Sequence, residues 1–298
     1  MFDFLKTVLD SLWALLLSLW AFLITVFPFL QYGFMQQAIL AGIAVGFLAS
    51  FYGVFVVQRG MGFLGDGLGH AAFGGVAIGI LFSVEPLWAA VLFTVFVAVG
   101  ITWVRENTKL ESDTVIGIFF ALSMAIGIVA LSLTPRYTQD AITYLFGSIL
   151  AVQPMDLYVI GAVVVVALAT HRLWGRWAYA TFDREMAMAD RVAVKREDYF
   201  LSLLIAVTVV TSIKLVGIVL VSAFLVIPAA TARRMSRTFS TMTRLSIVIG
   251  VGTALGGLFA SYYTNTPSGA TIVLGQGVLF VICMIAARAF ITLRKRPA

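Results

Sequence analysis

The chain has 298 residues, of which 61% are hydrophobic and only 11% are charged, and its mean hydropathy is +1.03. Soluble domains carry roughly 25% charged residues, so this composition excludes a soluble globular protein and indicates a polytopic membrane protein. The single cysteine, Cys283, excludes an internal disulfide and a cysteine-rich zinc site, and the net charge of +6 reflects membrane topology rather than nucleic-acid binding.

Eight apolar runs predict full transmembrane helices, because each is close to the roughly 20 residues that cross a bilayer. In chain order they cover residues 11–30, 35–57, 65–82, 87–104, 114–131, 156–170, 245–262 and 271–290. The first run has Lys6 upstream but no small-residue cleavage site, so we expect a retained extra N-terminal helix rather than a signal peptide. No internal repeat is found, and we expect residues 1–298 to form one all-α membrane helix bundle.

The apolar region 199–230 does not fit the pattern of the other runs. A single helix of this length would overshoot the roughly 30 Å hydrocarbon core, while two full spans would not fit comfortably. We therefore predict a hairpin of two short helices that turns near Lys214.

Lys and Arg gather in alternate loops, and this alternation predicts the orientation of the chain. The basic loops are those around Arg59, 105–109, 172–196, 233–244 and 294–296, whereas the loops at 83–86, 134–140 and 265–268 are poor in Lys and Arg. We expect the basic loops and the carboxyl terminus to be cytoplasmic. If the run 11–30 spans the membrane, the amino terminus is cytoplasmic as well.

Asp66 and His70 are the first functional candidates, because ionisable side chains are rare and costly in lipid-embedded segments. Four residues apart, they fall on one face of a helix, where both can reach a single divalent cation. The alternative is structural: Asp66 caps the helix that begins there, and His70 bonds a backbone carbonyl of a neighbouring helix. The spacing alone does not choose between these two interpretations.

The loop 172–198 is the longest polar stretch and has room for structure outside the bilayer. Within it, the 183–192 segment is typical of a short amphipathic helix, with Asp183 as the N-cap and an apolar edge of Met186, Ala189 and Val192. Such a helix suits docking to a soluble partner. The alternative is a segment that lies on the lipid headgroups.

Several catalytic motifs are absent from the sequence. It contains no Gly-x-x-x-x-Gly-Lys-Ser/Thr phosphate loop, no Gly-x-Ser-x-Gly nucleophile elbow and no His-Glu-x-x-His zinc motif. We therefore expect a protein that is not itself an enzyme and that does not hydrolyse ATP in the usual way.

The order and spacing of five motifs resemble the integral membrane permeases of bacterial ATP-binding-cassette importers for zinc and manganese, most closely the zinc-uptake permeases. The motifs are Val56 to Asp66 followed by His70, Tyr144 to Val152, Lys214 to Gly217, Ile227 to Arg234, and Thr266 to Gly269. The resemblance covers about residues 34–288. Gly67 and Gly69 depart from it, since they stand where the family often has Ala and Ser.

This resemblance implies a homodimeric permease in a bacterial inner membrane, with two separate cytoplasmic ATPase subunits and an external metal-binding protein. Asp66 and His70 match the family positions that contact metal in the translocation path. The 183–192 segment looks like the loop that engages the ATPase. The residues expected to contact the ATPase are Asp183, Glu185, Met186, Ala187 and Asp190.

The transported ion is expected to be Zn²⁺ or Mn²⁺, with an iron permease of the same family as a further alternative, and no permanently bound cofactor is expected. Imidazole favours zinc and carboxylate suits manganese, so the pair leaves both open, and the overall resemblance favours zinc. Three other classes are a proton-coupled secondary metal carrier, an importer permease for iron chelates and a structural membrane subunit. Metal-specific uptake and a copurifying ATPase would separate them.

Overall fold

The structure, a computed structural model, describes residues 31–134, 147 and 152–294. The predicted N-terminal helix at 11–30 and most of the 144–152 motif lie outside these residues. All regular secondary structure in the described part of the chain is helical, which confirms the all-α prediction.

The described helices follow one another with short connections. They are α1 (Gly33–Gln58), α2 (Leu64–Leu81), α3 (Pro86–Asn107), α4 (Ser112–Ser132), α5 (Pro154–Ala169), α6 (Trp174–Phe182), α7 (Arg184–Ala189), α8 (Val194–Val216), α9 (Val221–Met235), α10 (Phe239–Thr264) and α11 (Ser268–Arg294). A 3₁₀ turn, Thr170–Leu173, joins α5 to α6. Seven segments in the described ranges are long and apolar enough to cross a membrane, and they coincide with the seven predicted runs that follow residue 30.

The hairpin exists, but it turns at Gly217 rather than near Lys214. Helix α8 continues through Lys214 to Val216 and has 23 residues, so it is longer than the short helix that we predicted. Gly217 has φ 89° and ψ 156°, a conformation that is essentially restricted to glycine. Lys214 lies inside the helix, and the chain leaves the helix at Gly217, which can adopt these angles.

Small residues bring α1 into backbone contact with α9 and α10 at the centre of the bundle. A Cβ atom on Gly53 would overlap the Leu225 carbonyl of α9, and one on Gly250 would overlap the Ser50 hydroxyl of α1. The Ser246 hydroxyl of α10 donates a hydrogen bond to the Ser50 carbonyl at 3.1 Å. Close approach of this kind maximises dispersion contacts, which drive helix association where no hydrophobic effect operates.

Helix α6 is held against α1 and α8 by one buried indole. The Trp177 ring packs edge-on against Phe55, with ring centroids 5.7 Å apart, and its Nε1 donates a hydrogen bond to Glu197 Oε2 at 2.7 Å. The side chain is fully buried. The region that follows α5 is thus part of the folded bundle, and α7 follows α6 directly in the chain.

Candidate functional site

The turn between α1 and α2 is rigid, because the end of α1 forms a Schellman motif. The Met61 amide donates to the Val56 carbonyl at 3.0 Å, and the Gly60 amide donates to the Val57 carbonyl at 3.3 Å. Gly60 adopts the left-handed φ of 67° that this motif requires. Met61 is only 2% exposed and anchors the turn in the core. The start of α2 is therefore fixed relative to the end of α1.

Asp66 lies in the first turn of α2, where free backbone N–H groups and the helix dipole favour a negative charge. The N-cap residue is Phe63, and no side chain caps this helix end. The structural alternative, in which Asp66 is the cap, is therefore wrong. The carboxylate is half-buried and can serve as a ligand.

His70 follows Asp66 by one turn on the same helix face, and the two groups are close enough to interact electrostatically. Its Nδ1 atom is buried and has no hydrogen-bond partner among the described residues. Phe120 of α4 meets the ring edge-on, with ring centroids 4.4 Å apart and planes at 72°. The imidazole therefore contacts the Phe120 ring, and its Nδ1 makes no bond to a backbone carbonyl of the described residues.

The tip of the α8–α9 hairpin packs against the first turns of α2. A Cβ on Gly69 would lie 3.1 Å from the Ile218 carbonyl oxygen, and one on Gly65 would lie 2.7 Å from Ser222 Cα. Each of these glycines directly precedes one member of the Asp66 and His70 pair, and both let the hairpin approach it. Helix α2 runs unbroken through Gly67 and Gly69, so the departures from the family pattern leave the helix intact.

The described part of the chain contains no cluster of three or more His, Cys, Asp or Glu residues that could hold a metal ion. Asp66 and His70 are a pair and not part of a larger cluster of this kind within those residues. The other histidine, His171, is exposed on the 3₁₀ turn with its ring 6.4 Å from that of Phe51. It is part of an aromatic group at the end of α5.

The 183–192 segment folds as a shorter helix than the sequence predicts. Asp183 is its N-cap, as predicted, and accepts a hydrogen bond from the Met186 amide at 2.9 Å. Helix α7 ends at Ala189, so Val192 lies beyond it. The buried residue of α7 is Ala187, which packs in a small cluster with two other apolar residues, Ala180 and Val194.

The predicted apolar edge of this segment is therefore not its buried side. Met186 is 59% exposed and Met188 is 47% exposed, while Glu185 is also exposed. Asp190 accepts a hydrogen bond from the Tyr179 hydroxyl at 2.7 Å, which ties the end of the segment to α6. The result is a fixed short helix with two free thioether side chains, the type of side chain that adaptable binding surfaces use.

A charged cluster that no sequence pattern predicted lies beside this helix. Asp198 of α8 receives hydrogen bonds on both oxygens, from Arg59 Nη1 at 2.5 Å and from Arg184 Nη1 at 2.7 Å. Arg184 Nη2 also donates to Glu106 Oε1 at 2.5 Å. Burial lowers the pKa of Arg184, but the Asp198 and Glu106 carboxylates outweigh this and raise its pKa above the ordinary value. The sequence offers only a weak indication of this cluster, namely that Glu106 and Asp198 lie next to basic loops.

Comparisons with known proteins agree with this architecture. Residues 31–287 match the ABC 3 transport family. The chain is 35% identical over 248 residues to the high-affinity zinc uptake system membrane protein ZnuB of Haemophilus influenzae, covering 83% of this chain and 95% of that protein. It is also 35% identical over 260 residues to the manganese transport system membrane protein MntC of Listeria innocua, covering 87% and 92%.

A solved structure shows the same fold. PsaBC from Streptococcus pneumoniae, determined in complex with Fab, superimposes with a TM-score of 0.77 at 31% identity, covering 87% of this chain and 93% of that chain. The family match over most of the chain, the full-length relatives and the shared fold lead to one conclusion: the chain belongs to the ABC 3 transport family.

Proposed function

We propose that this protein is the membrane permease of an ATP-driven importer and that it moves a divalent transition-metal ion into the cytoplasm of a bacterium. The observation that carries the proposal is the Asp66 and His70 pair on one face of α2, with the His70 Nδ1 atom buried and without a hydrogen-bond partner among the described residues. Relatives of this family that act in zinc uptake and in manganese transport support a metal ion as the substrate.

Two ligands per chain suit an ion in transit. A metal ion that crosses the hydrocarbon core must exchange its hydration shell for protein ligands at about 2.0–2.2 Å. A second copy of the permease would bring the number of ligands to four if both pairs faced a common axis. We therefore propose a homodimer. A closed tetrahedral site would retain the ion, so coordination by the four ligands must be weak and transient.

We propose zinc as the preferred ion. An imidazole ligand favours zinc over manganese, whereas the carboxylate of Asp66 serves both ions. The identities to the zinc and manganese proteins are equal at 35%, so they do not decide between the two ions. Direct competition between the metals is the measurement that decides.

The energy for transport comes from another protein in this proposal. The sequence has no phosphate loop, so two separate ATPase subunits would bind and hydrolyse ATP, while an external metal-binding protein delivers the ion. The docking site that we propose for the ATPase is the 183–192 segment. Met186 and Met188 supply exposed apolar surface there, and Asp183 and Ala187 hold the helix in place.

The test is metal uptake by vesicles that contain the permease, its ATPase and its binding protein. We expect ATP-dependent uptake with zinc preferred over manganese and iron, and a loss of about tenfold or more in Asp66→Ala and in His70→Ala, because each removes a direct ligand. Asp113→Ala and His171→Ala are matched controls, since both side chains are exposed and lie outside the pair.

Three outcomes would contradict the proposal. Unchanged metal uptake in the Asp66→Ala/His70→Ala double variant would exclude the pair from the path. Uptake driven by a proton gradient without ATPase would identify a secondary carrier. Transport of an iron chelate, with no transport of the free metal ions, would assign the chain to another substrate class.

A further inference from the structure

The charged cluster beside α7 is built around the buried carboxylate of Asp198. The Asp198 side chain is 2% exposed, and each of its oxygens accepts from a different guanidinium group. A buried carboxylate in such a position needs its partners, because an unpaired charge there is strongly unfavourable. Its two partners, Arg59 and Arg184, are therefore coupled: if one guanidinium moves, the carboxylate and the other guanidinium must follow or lose a charge-assisted bond.

Arg184 is the residue of this cluster that belongs to the 183–192 segment. It is the first residue of α7, directly after the N-cap Asp183. Its side chain is 38% exposed, the most exposed of the four members of the cluster. The two Nη atoms of Arg184 thus bind Asp198 and Glu106. The backbone of Arg184 belongs to the helix that we propose as the ATPase contact.

One arm of the cluster leads from Arg184 to the metal-bearing helix. Asp198, which binds Arg184, also accepts a hydrogen bond from Arg59 Nη1. Arg59 Nε donates a further hydrogen bond to the Thr181 hydroxyl at 2.9 Å. Arg59 is the C-cap of α1 and stands immediately before the rigid Schellman turn into α2. Only seven positions separate it from Asp66. Because the turn between them is short and rigid, a shift of Arg59 would also displace the first turn of α2.

The second arm leads to the helix that contacts the imidazole. Arg184 Nη2 bonds Glu106 near the end of α3. The adjacent residue, Arg105, donates from Nε to the Ser112 hydroxyl at the start of α4, at 3.0 Å. Helix α4 carries Phe120, whose ring lies against His70. The two arms thus connect one guanidinium group to α2, which carries Asp66 and His70, and to α4, which contacts His70.

We propose that Arg184 is a positioning residue that transmits movement of the ATPase-docking helix to α2 through Asp198 and Arg59, and to α4 through Glu106 and Arg105. This inference rests on the proposed function, because it takes the 183–192 segment as the ATPase contact. It adds a specific route from that contact to the metal pair. A simpler role, in which the cluster only stabilises the fold, predicts lower stability but an unchanged ratio of metal transported to ATP hydrolysed.

The ratio of metal ions transported to ATP hydrolysed separates these roles. In reconstituted vesicles, we expect Arg184→Gln to retain the ATPase on purification and to continue to hydrolyse ATP, but to transport about tenfold fewer ions per ATP, because two charge-assisted bonds are lost. The matched control is Arg196→Gln, which makes the same chemical change at an exposed position in the first turn of α8. This control should keep the wild-type ratio.

A wild-type ratio in Arg184→Gln would overturn the inference, and so would loss of the bound ATPase, since Arg184 would then hold the partner rather than transmit its movement. The wild-type sample separately tests the proposed function: if it transports no metal, that proposal fails whatever the variants do.

A double-mutant cycle provides a second test that does not depend on one variant. Glu106→Gln alone should lower the ratio, and adding it to Arg184→Gln should cause little further loss, because both changes interrupt the same contact. Additive losses would show that Arg184 and Glu106 act separately and would overturn the second arm. Arg184→Lys should give an intermediate ratio, since an ammonium group lacks the planar fork that binds two carboxylates at once.

Discussion

The Phe120 ring of α4 meets the His70 imidazole of α2 edge-on, with ring centroids 4.4 Å apart. Nδ1 of this imidazole has no hydrogen-bond partner within the described residues, so the ring contact is the observed constraint on its orientation. Nδ1 is thus left available for an ion in the part of the chain that the structure describes. Such an arrangement fits a site that binds weakly and releases readily.

Replacing Phe120 with Ala should therefore impair metal recognition. An edge-on aromatic contact contributes roughly 0.5–1.5 kcal/mol, so we expect the apparent KM for the metal to rise about two- to tenfold. Phe119→Ala is the matched control, because that neighbouring ring packs against Gly100 of α3 instead. Metal titrations of uptake provide the measurement. Equal KM values in the two variants would show that the ring contact has no role in binding.

Gly65→Ala should separate the hairpin tip from α2. The new Cβ would lie 2.7 Å from Ser222 Cα, and because backbone cannot yield cheaply, we expect a loss of about 1–3 kcal/mol in stability together with lower metal uptake. Gly62→Ala should be neutral, since nothing lies within 4 Å of its Cβ position. Thermal unfolding of the purified variants and uptake in vesicles test both. A Gly65→Ala protein as stable and active as wild type would refute the close packing.

Gly217→Ala should destabilise the turn between α8 and α9. Its backbone angles, φ 89° and ψ 156°, are unfavourable for any residue with a Cβ, and we expect a cost of roughly 1–3 kcal/mol. Gly161→Ala is the control, because Gly161 lies inside α5 and has free space around its Cβ position. That variant should be slightly stabilised, by up to about 1 kcal/mol. Unfolding temperatures that shift in the same direction for both variants would contradict this reasoning.

Asp183→Ala should weaken α7 and reduce the amount of ATPase that copurifies with the permease. The loss of an N-cap costs about 0.5–2 kcal/mol, a large fraction of the stability of a helix of six residues. Asp183→Asn keeps the capping oxygen without the charge and should retain the ATPase. If both variants lose the ATPase equally, the charge of Asp183 and not its capping role supports docking.

Much of the fold follows from local features of the sequence. The seven spans after residue 30 are predicted at their observed places, because the bilayer imposes a length on apolar runs that can be counted directly. Some ends differ, since α10 begins at Phe239 whereas the predicted run begins at residue 245. The N-cap at Asp183 was also predictable, since capping depends on residues three positions apart. The face shared by Asp66 and His70 follows from helical spacing in the same way.

The sequence by itself thus determined the membrane-spanning segments, the helical class, the family resemblance and the candidate metal pair. Only the tertiary structure decided that the hairpin turns at Gly217, that Ala187 rather than Met186 is buried, and that Phe120 contacts His70. It also brought Arg59 to Asp198, which are 139 positions apart. The physical reason is one of range: burial in the bilayer and helical periodicity act between near neighbours, whereas ring contacts and ion pairs depend on which helices pack together.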